Sequence, residues 1–155
     1  YVARRLIRFA SEDIGIADPQ ALTQVVAAYQ ACHFIGMPEC TLNLTQAVVY
    51  MAMAPKSNSI YRAYEEAKKD AGTMMAEPVP LQIRNAPTRL MADLHYGEGY
   101  VYAHETKDKI AAMDCLPASL KGREYYRPGT IGAEAPVRER LEEIRKWRRE
   151  HPALP

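Results

Sequence analysis

Charge is nearly missing from one long stretch of this sequence. Between Pro19 and Pro55 the only formally charged residue is Glu39, although the chain of 155 residues carries 20 basic and 19 acidic side chains. A helix built from that stretch has no charged face to offer water, so it is expected to be covered on more than one side, by its own domain or by another copy. Long hydrophobic runs are missing too. Gln24, Gln30, Asn43 and Gln46 break the stretch before about 18 apolar residues accumulate, which excludes a membrane-spanning helix. Cysteine is scarce: three residues, an odd number, fit free thiols in a reducing compartment better than a disulfide framework, and the expected address is cytoplasmic. A net charge of +1 gives the surface as a whole no electrostatic reason to grip nucleic acid or anionic lipid, so any such contact is local.

Motifs for chemistry are also absent. The only lysine followed by serine or threonine is Lys56 with Ser57, preceded by Pro55, so the Gly-x-x-x-x-Gly-Lys phosphate loop is missing. Gly97 and Gly99 form a Gly-x-Gly with no strand before it, which reads as a turn that lets Tyr96 and Tyr100 pack. Cys32, His33 and Cys40, with Cys115 or His104, invite a zinc reading. Their spacing matches no standard zinc knuckle, however, and neighbours on a helix point about 100° apart. His33, His95, His104 and His151 are general bases in principle, but no serine or cysteine lies in a nucleophile setting such as Gly-x-Ser-x-Gly. The expectation is no catalytic, metal or cofactor site within this chain.

What is present is helical periodicity. Val2, Leu6 and Phe9 mark a first helix ending near Ala10. Asp18 and Pro19 start a second, which runs to about 37 through Leu22, Val25, Val26, Tyr29 and Cys32, with Gly36 as its cap. Pro38 and Glu39 open a third, running to about 54 and stopped by Pro55. These two form a central apolar helix pair. Ser57 or Asn58 caps a helix with Ile60, Tyr64, Ala67 and Ala71 on one face, which ends at Gly72. Asn85 starts a short one carrying Leu90, Met91 and Leu94. Residues 95–136 form a long strap rich in tyrosine, glycine and proline, with one brief helix expected near Lys107 to Cys115. Tyr100 to His104 is the best strand candidate and too short to found a sheet. An exit helix from Pro136 to His151 shows a narrow stripe of Val137, Leu141, Ile144 and Trp147. The class is all-α, in helical hairpins, as a single domain over 1–155.

Two sets of residues are candidates for function. Leu22, Val26, Tyr29, Leu44, Val48 and Met51, on the charge-free pair, suit an oligomer interface. Arg4, Arg5 and Arg8, with Arg145, Arg148 and Arg149, suit phosphate contact in a DNA-binding or partner-binding module, unless acidic neighbours neutralise them.

The strings RRLIRFASEDIGIADPQAL (Arg4 to Leu22), IGMPEC (Ile35 to Cys40), APKSNSIYRAY (Ala54 to Tyr64), RNAPTRLM (Arg84 to Met91), YGEGYVYAH (Tyr96 to His104) and LPASLKGREYYRPGTIGAE (Leu116 to Glu134) occur in order. Together they resemble the C-terminal region of the replication-associated recombination protein A family of AAA+ ATPases, related to the eukaryotic Werner-helicase-interacting protein. The resemblance implies a fragment of a longer protein whose nucleotide-binding part, with ATP and magnesium, lies outside this chain. It implies a collar-like helical domain that assembles a DNA-dependent ATPase of replication forks into a homotetramer, with DNA and replication-fork proteins as partners of the whole protein and no membrane. No catalytic residue carries over to this chain.

Overall fold

The computed structural model describes residues 1–74 and 76–152, with six α-helices and no strand among them. The helices are α1 (Val2–Phe9), α2 (Gln20–Ile35), α3 (Thr41–Met53), α4 (Ser59–Thr73), α5 (Arg89–Asp93) and α6 (Glu134–Glu150). The all-α class read from the sequence is what forms. The chain divides into two compact units, Tyr1–Asp70 with Tyr125–Glu139, and 71–124 with the residues from Arg140 onward. No helix of the described residues is long and apolar enough to cross a membrane.

In the first unit α1 runs straight into a π-helical turn, Ala10–Ile14, and then a 3₁₀ turn, Gly15–Ala17. The inward stripe of α1 is Ala3, Leu6, Ile7 and Ala10 rather than Val2, Leu6 and Phe9, because this rotation also buries Ile14 on the continuing turn. Asp18 then does two jobs. One carboxylate oxygen accepts from Gln20 N at 3.0 Å at the start of α2, and the other accepts from the Tyr50 hydroxyl of α3 at 2.7 Å. That bond, with burial second, raises the Tyr50 pKa. At the far end of α3, the Lys56 ammonium donates to Met51 O (2.8 Å) and Ala54 O (2.6 Å), satisfying carbonyls that the stop at Pro55 leaves open. The core between these helices is Ala10, Ile14, Ala21, Val25, Ala28, Ala47, Met51 and Ala54, with Leu6, Ile7 and Tyr50 against it.

Two backbone links close this unit. Ser57 N–H donates to Asp13 O and Ala133 N–H to Ala17 O, each at 2.8 Å. Gly132, at φ 58°, sits so close to the Ala17 carbonyl and the Pro55 ring that a Cβ there would collide with both. The expected apolar face of α4 is not the one that forms. Ala67 is half-buried, but Ile60, Tyr64 and Ala71 are exposed, and the inward positions include Glu66 and Asp70. These carboxylates meet the 125–127 segment: Arg127 pairs with Glu66 at 3.1 Å and the Tyr125 hydroxyl donates to Asp70 at 3.0 Å.

The second unit departs most from expectation. Asn85 does not start a helix, because Pro87 disfavours helical geometry at Ala86; α5 begins instead after Thr88, whose hydroxyl accepts from Met91 N at 3.3 Å. No helix forms over 107–115, where Lys109 adopts φ 56° and the Thr106 hydroxyl lies 2.7 Å from Ala103 O and 3.0 Å from Ile110 O, closing a loop. Tyr100 to His104 is not a strand but leads into a 3₁₀ turn at Ala103–Glu105. Val137, Leu141, Ile144 and Trp147 are half-buried along α6, as their spacing predicts.

Candidate self-association surface

The α2 and α3 helices pack against each other across a turn closed by Gly36 N–H on Cys32 O (3.1 Å) and Cys40 N–H on Gly36 O (3.0 Å). Their buried positions are mostly alanines, and the larger apolar side chains point out. Phe34 and Met53 are each 82% exposed and Leu42 77%, with Tyr29, Val48 and Val49 about half exposed or more. Small residues inside bring the helices close, which leaves no interior space for the large ones.

The six interface candidates divide accordingly. Leu22, Tyr29 and Val48 are exposed, and Val26 and Leu44 are half-buried. Met51, at 2% exposure, belongs to the core of its own unit and has no surface to offer. A second surface was not read from the sequence. Gln24, Ala27, Ala28 and Ala31 of α2 and Asn43, Gln46, Ala47 and Tyr50 of α3 line an open groove of about 290 Å³. At 100° per residue, Gln24, Ala27 and Ala31 lie on the opposite side of α2 from Leu22, Val26 and Tyr29, and Gln46 and Tyr50 lie away from Leu44 and Val48 on α3. The pair is therefore free of charge on two sides, one ridged with apolar side chains and one floored with alanine and rimmed with amides.

The basic candidates fall in different units and are unequal. Arg8 pairs with Glu12, and Arg145 with Glu124 at 2.6 Å. Arg4, Arg5, Arg148 and Arg149 are exposed and have no ion pair among the described residues. Cys32 and Cys40 lie together at the hairpin turn, and burial, with the Cys32 thiol beside it, pushes the Cys40 thiol up. Cys115 and His104 belong to the second unit, and among the described residues no three His, Cys, Asp or Glu side chains group to hold a metal.

Among the described residues one charged side chain is fully buried, and it was not singled out from the sequence, since it stands two residues before the expected start of the exit helix. Glu134 opens α6 at 0% exposure, accepting from Ser59 Oγ, from the Tyr126 hydroxyl at 3.0 Å and from Gly129 N–H at 3.0 Å. Burial alone would raise its pKa; hydrogen bonds from Ser57, Ser59, Gly129 and Tyr126 outweigh it and hold the carboxyl below its ordinary value. The same contact works oppositely on its neighbour, as burial and then the bond to Glu134 push Tyr126 up to about 12. This network forms one wall of a cleft of about 670 Å³ that also takes in Lys56, Arg62 and Arg127.

Known proteins resemble this chain along nearly its whole length. It is 49% identical over 152 residues to the Replication-associated recombination protein A of Coxiella burnetii, a match covering 97% of this chain and 34% of that protein. It is 41% identical over 142 residues to the protein of the same name from Escherichia coli K12, covering 91% of this chain and 32% of the relative. The ATPase WRNIP1 of Dictyostelium discoideum is 44% identical over 127 residues, 81% of this chain and 14% of the relative. The chain thus spans about a third or less of each of these relatives. The family model described as MgsA AAA+ ATPase C terminal matches residues 1–145, and the chain belongs to that family.

Proposed function

We propose that this region assembles its parent, a DNA-dependent AAA+ ATPase of replication-fork maintenance and recombination, into a homotetramer through the α2–α3 pair. The observation that carries this is the inversion of size with burial: alanines inside, and Leu22, Tyr29, Phe34, Leu42 and Val48 outside, with no charge among them except Glu39. A lone domain gains nothing from displaying such a face to water, whereas a permanent subunit contact of roughly 2,000 Å² needs one. A tetramer with two kinds of contact needs two self-complementary surfaces, and the ridge and the groove supply two candidates. The collar would hold several ATPase modules together, raising their effective concentration on DNA without contributing to hydrolysis. ATP and magnesium would bind in the parent's remaining part, in the cytoplasm, with replication-fork proteins as further partners.

Light scattering after size exclusion, across a range of concentrations, tests this. The expected mass is four chains, and Val48→Asp, which buries a charge in the contact, should lower it. A persistent monomer, or a tetramer untouched by Val48→Asp and by Leu22→Asp, overturns the placement. A second reading, direct DNA contact, is favoured by Arg4, Arg5, Arg148 and Arg149, which are exposed and make no ion pair among the described residues. It predicts affinity that falls steeply with salt, and a chain with no affinity for duplex or single strands at low salt would remove it.

A further inference from the structure

We propose that the three sulfur atoms at the turn of the α2–α3 pair, Cys32 Sγ, Met37 Sδ and Cys40 Sγ, form a binding site for one soft monovalent metal ion, with copper(I) the ion that fits. The turn brings them together from its two arms. The Cys40 thiol donates to the Met37 sulfur at 3.4 Å, and the Cys32 thiol points at the Cys40 carbonyl at 4.0 Å. Three sulfurs sharing one ion at metal–sulfur distances of about 2.3 Å stand about 4 Å apart, and completing that trigonal set requires the Cys32 thiol to turn from the Cys40 carbonyl toward the other two sulfurs. Burial as small apolar groups explains the cysteines alone. It does not explain why Met37, 72% exposed and free to turn away, keeps its sulfur against a thiol that is 3% exposed. That arrangement gives the site a dry floor at Cys40 and an open door at Met37.

The donor set selects the ion. A thioether is a soft neutral ligand that suits copper(I), whereas zinc favours a tetrahedron completed by nitrogen, oxygen or further thiolate. No third His, Cys, Asp or Glu joins the two cysteines among the described residues. Binding is ligand exchange without redox change: each thiol releases its proton to solvent, and two thiolates and one thioether enclose one monovalent cation, leaving the site with one negative charge.

Titration of the reduced 155-residue chain with copper(I) held by bicinchoninate reads the site directly. One copper(I) per chain should be withdrawn from the dye complex. Met37→Leu, a surface change that leaves the helices intact by circular dichroism, should weaken binding about tenfold or more, and Cys32→Ser further still. Cys115→Ser should change nothing. Failure of the chain to withdraw copper(I), or binding that loses nothing in Met37→Leu, overturns the three-sulfur site.

Discussion

The first unit closes around Ile14, Val25 and Met51, whereas the second buries no described residue to the same degree. In the first, order comes from apolar side chains removed from water on a frame of closely packed alanines. In the second, it comes from single polar links between loop and helix: Gln82 to Asp114 O at 2.5 Å, Lys121 to Asp114 at 3.4 Å, Arg145 to Glu124 at 2.6 Å, and the Trp147 indole N–H to Asp108 at 2.9 Å. Such links sit in water and each is weak. One domain thus holds a unit ordered by a buried apolar core and a unit in which no described residue is buried to that degree.

The comparison breaks most visibly in the first core. Ile14→Ala leaves a cavity where the π-helical turn meets α2 and α3, and should cost about 2–5 kcal/mol. Urea denaturation read by circular dichroism measures it, and a cost below that of any change in the second unit would dissolve the distinction. Next comes the buried carboxylate. Glu134→Gln keeps the shape but replaces an all-acceptor group by one that turns an amide toward the donors Ser59, Tyr126 and Gly129, for about 1–3 kcal/mol in the same measurement.

The same group gives the first unit a pH signature. Its folded pKa lies below the ordinary value, so the stability it contributes is present above the unfolded carboxyl value of about 4.3 and is lost as pH falls through the folded one. Tyr126 acts at the other end: its folded pKa is raised to about 12, so its contribution is complete below about 10 and is lost as pH rises from there toward 12. Thermal unfolding across pH should show the acid limb flattened by Glu134→Gln and the alkaline limb by Tyr126→Phe. Unchanged limbs in both variants would mean that the network does not set the pH range of this unit.

The sequence made the first unit legible where local rules are strong. Asp18 with Pro19, Gly36 and Pro55 mark both ends of α2 and the end of α3 within a residue or two, because a cap, a left-handed position and a missing amide act locally, whereas α3 starts at Thr41, three residues after the expected Pro38, because residues 37–40 form a turn. The exposed ridge of Leu22, Tyr29 and Val48 was legible too, as the absence of charge. Met51 was not separable from it, since periodicity marks an apolar position without saying whether α1 or a second chain covers it. The alanine groove escaped notice because small residues and amides carry no hydrophobic signal, and Glu134 because its four donors come from positions 57, 59, 126 and 129. In the second unit propensity misled most. The 107–115 stretch has helix formers, but Thr106 and Lys109 close a loop there, and only tertiary placement decides that.

The smallest expected effect tests the other side of the comparison. Arg145 and Glu124 make a short charged link in the second unit, yet Glu124 remains half exposed and water competes for both groups. Arg145→Ala should therefore cost only roughly 0.2–1 kcal/mol, shrinking further in high salt, where the screening length falls to a few ångströms. Melting curves of the variant at low and high salt separate the two possible origins of any loss. A cost that disappears with salt is the ion pair itself; a cost of several kcal/mol that ignores salt would show that the aliphatic stem of Arg145 is packing, and that the second unit has an apolar centre after all.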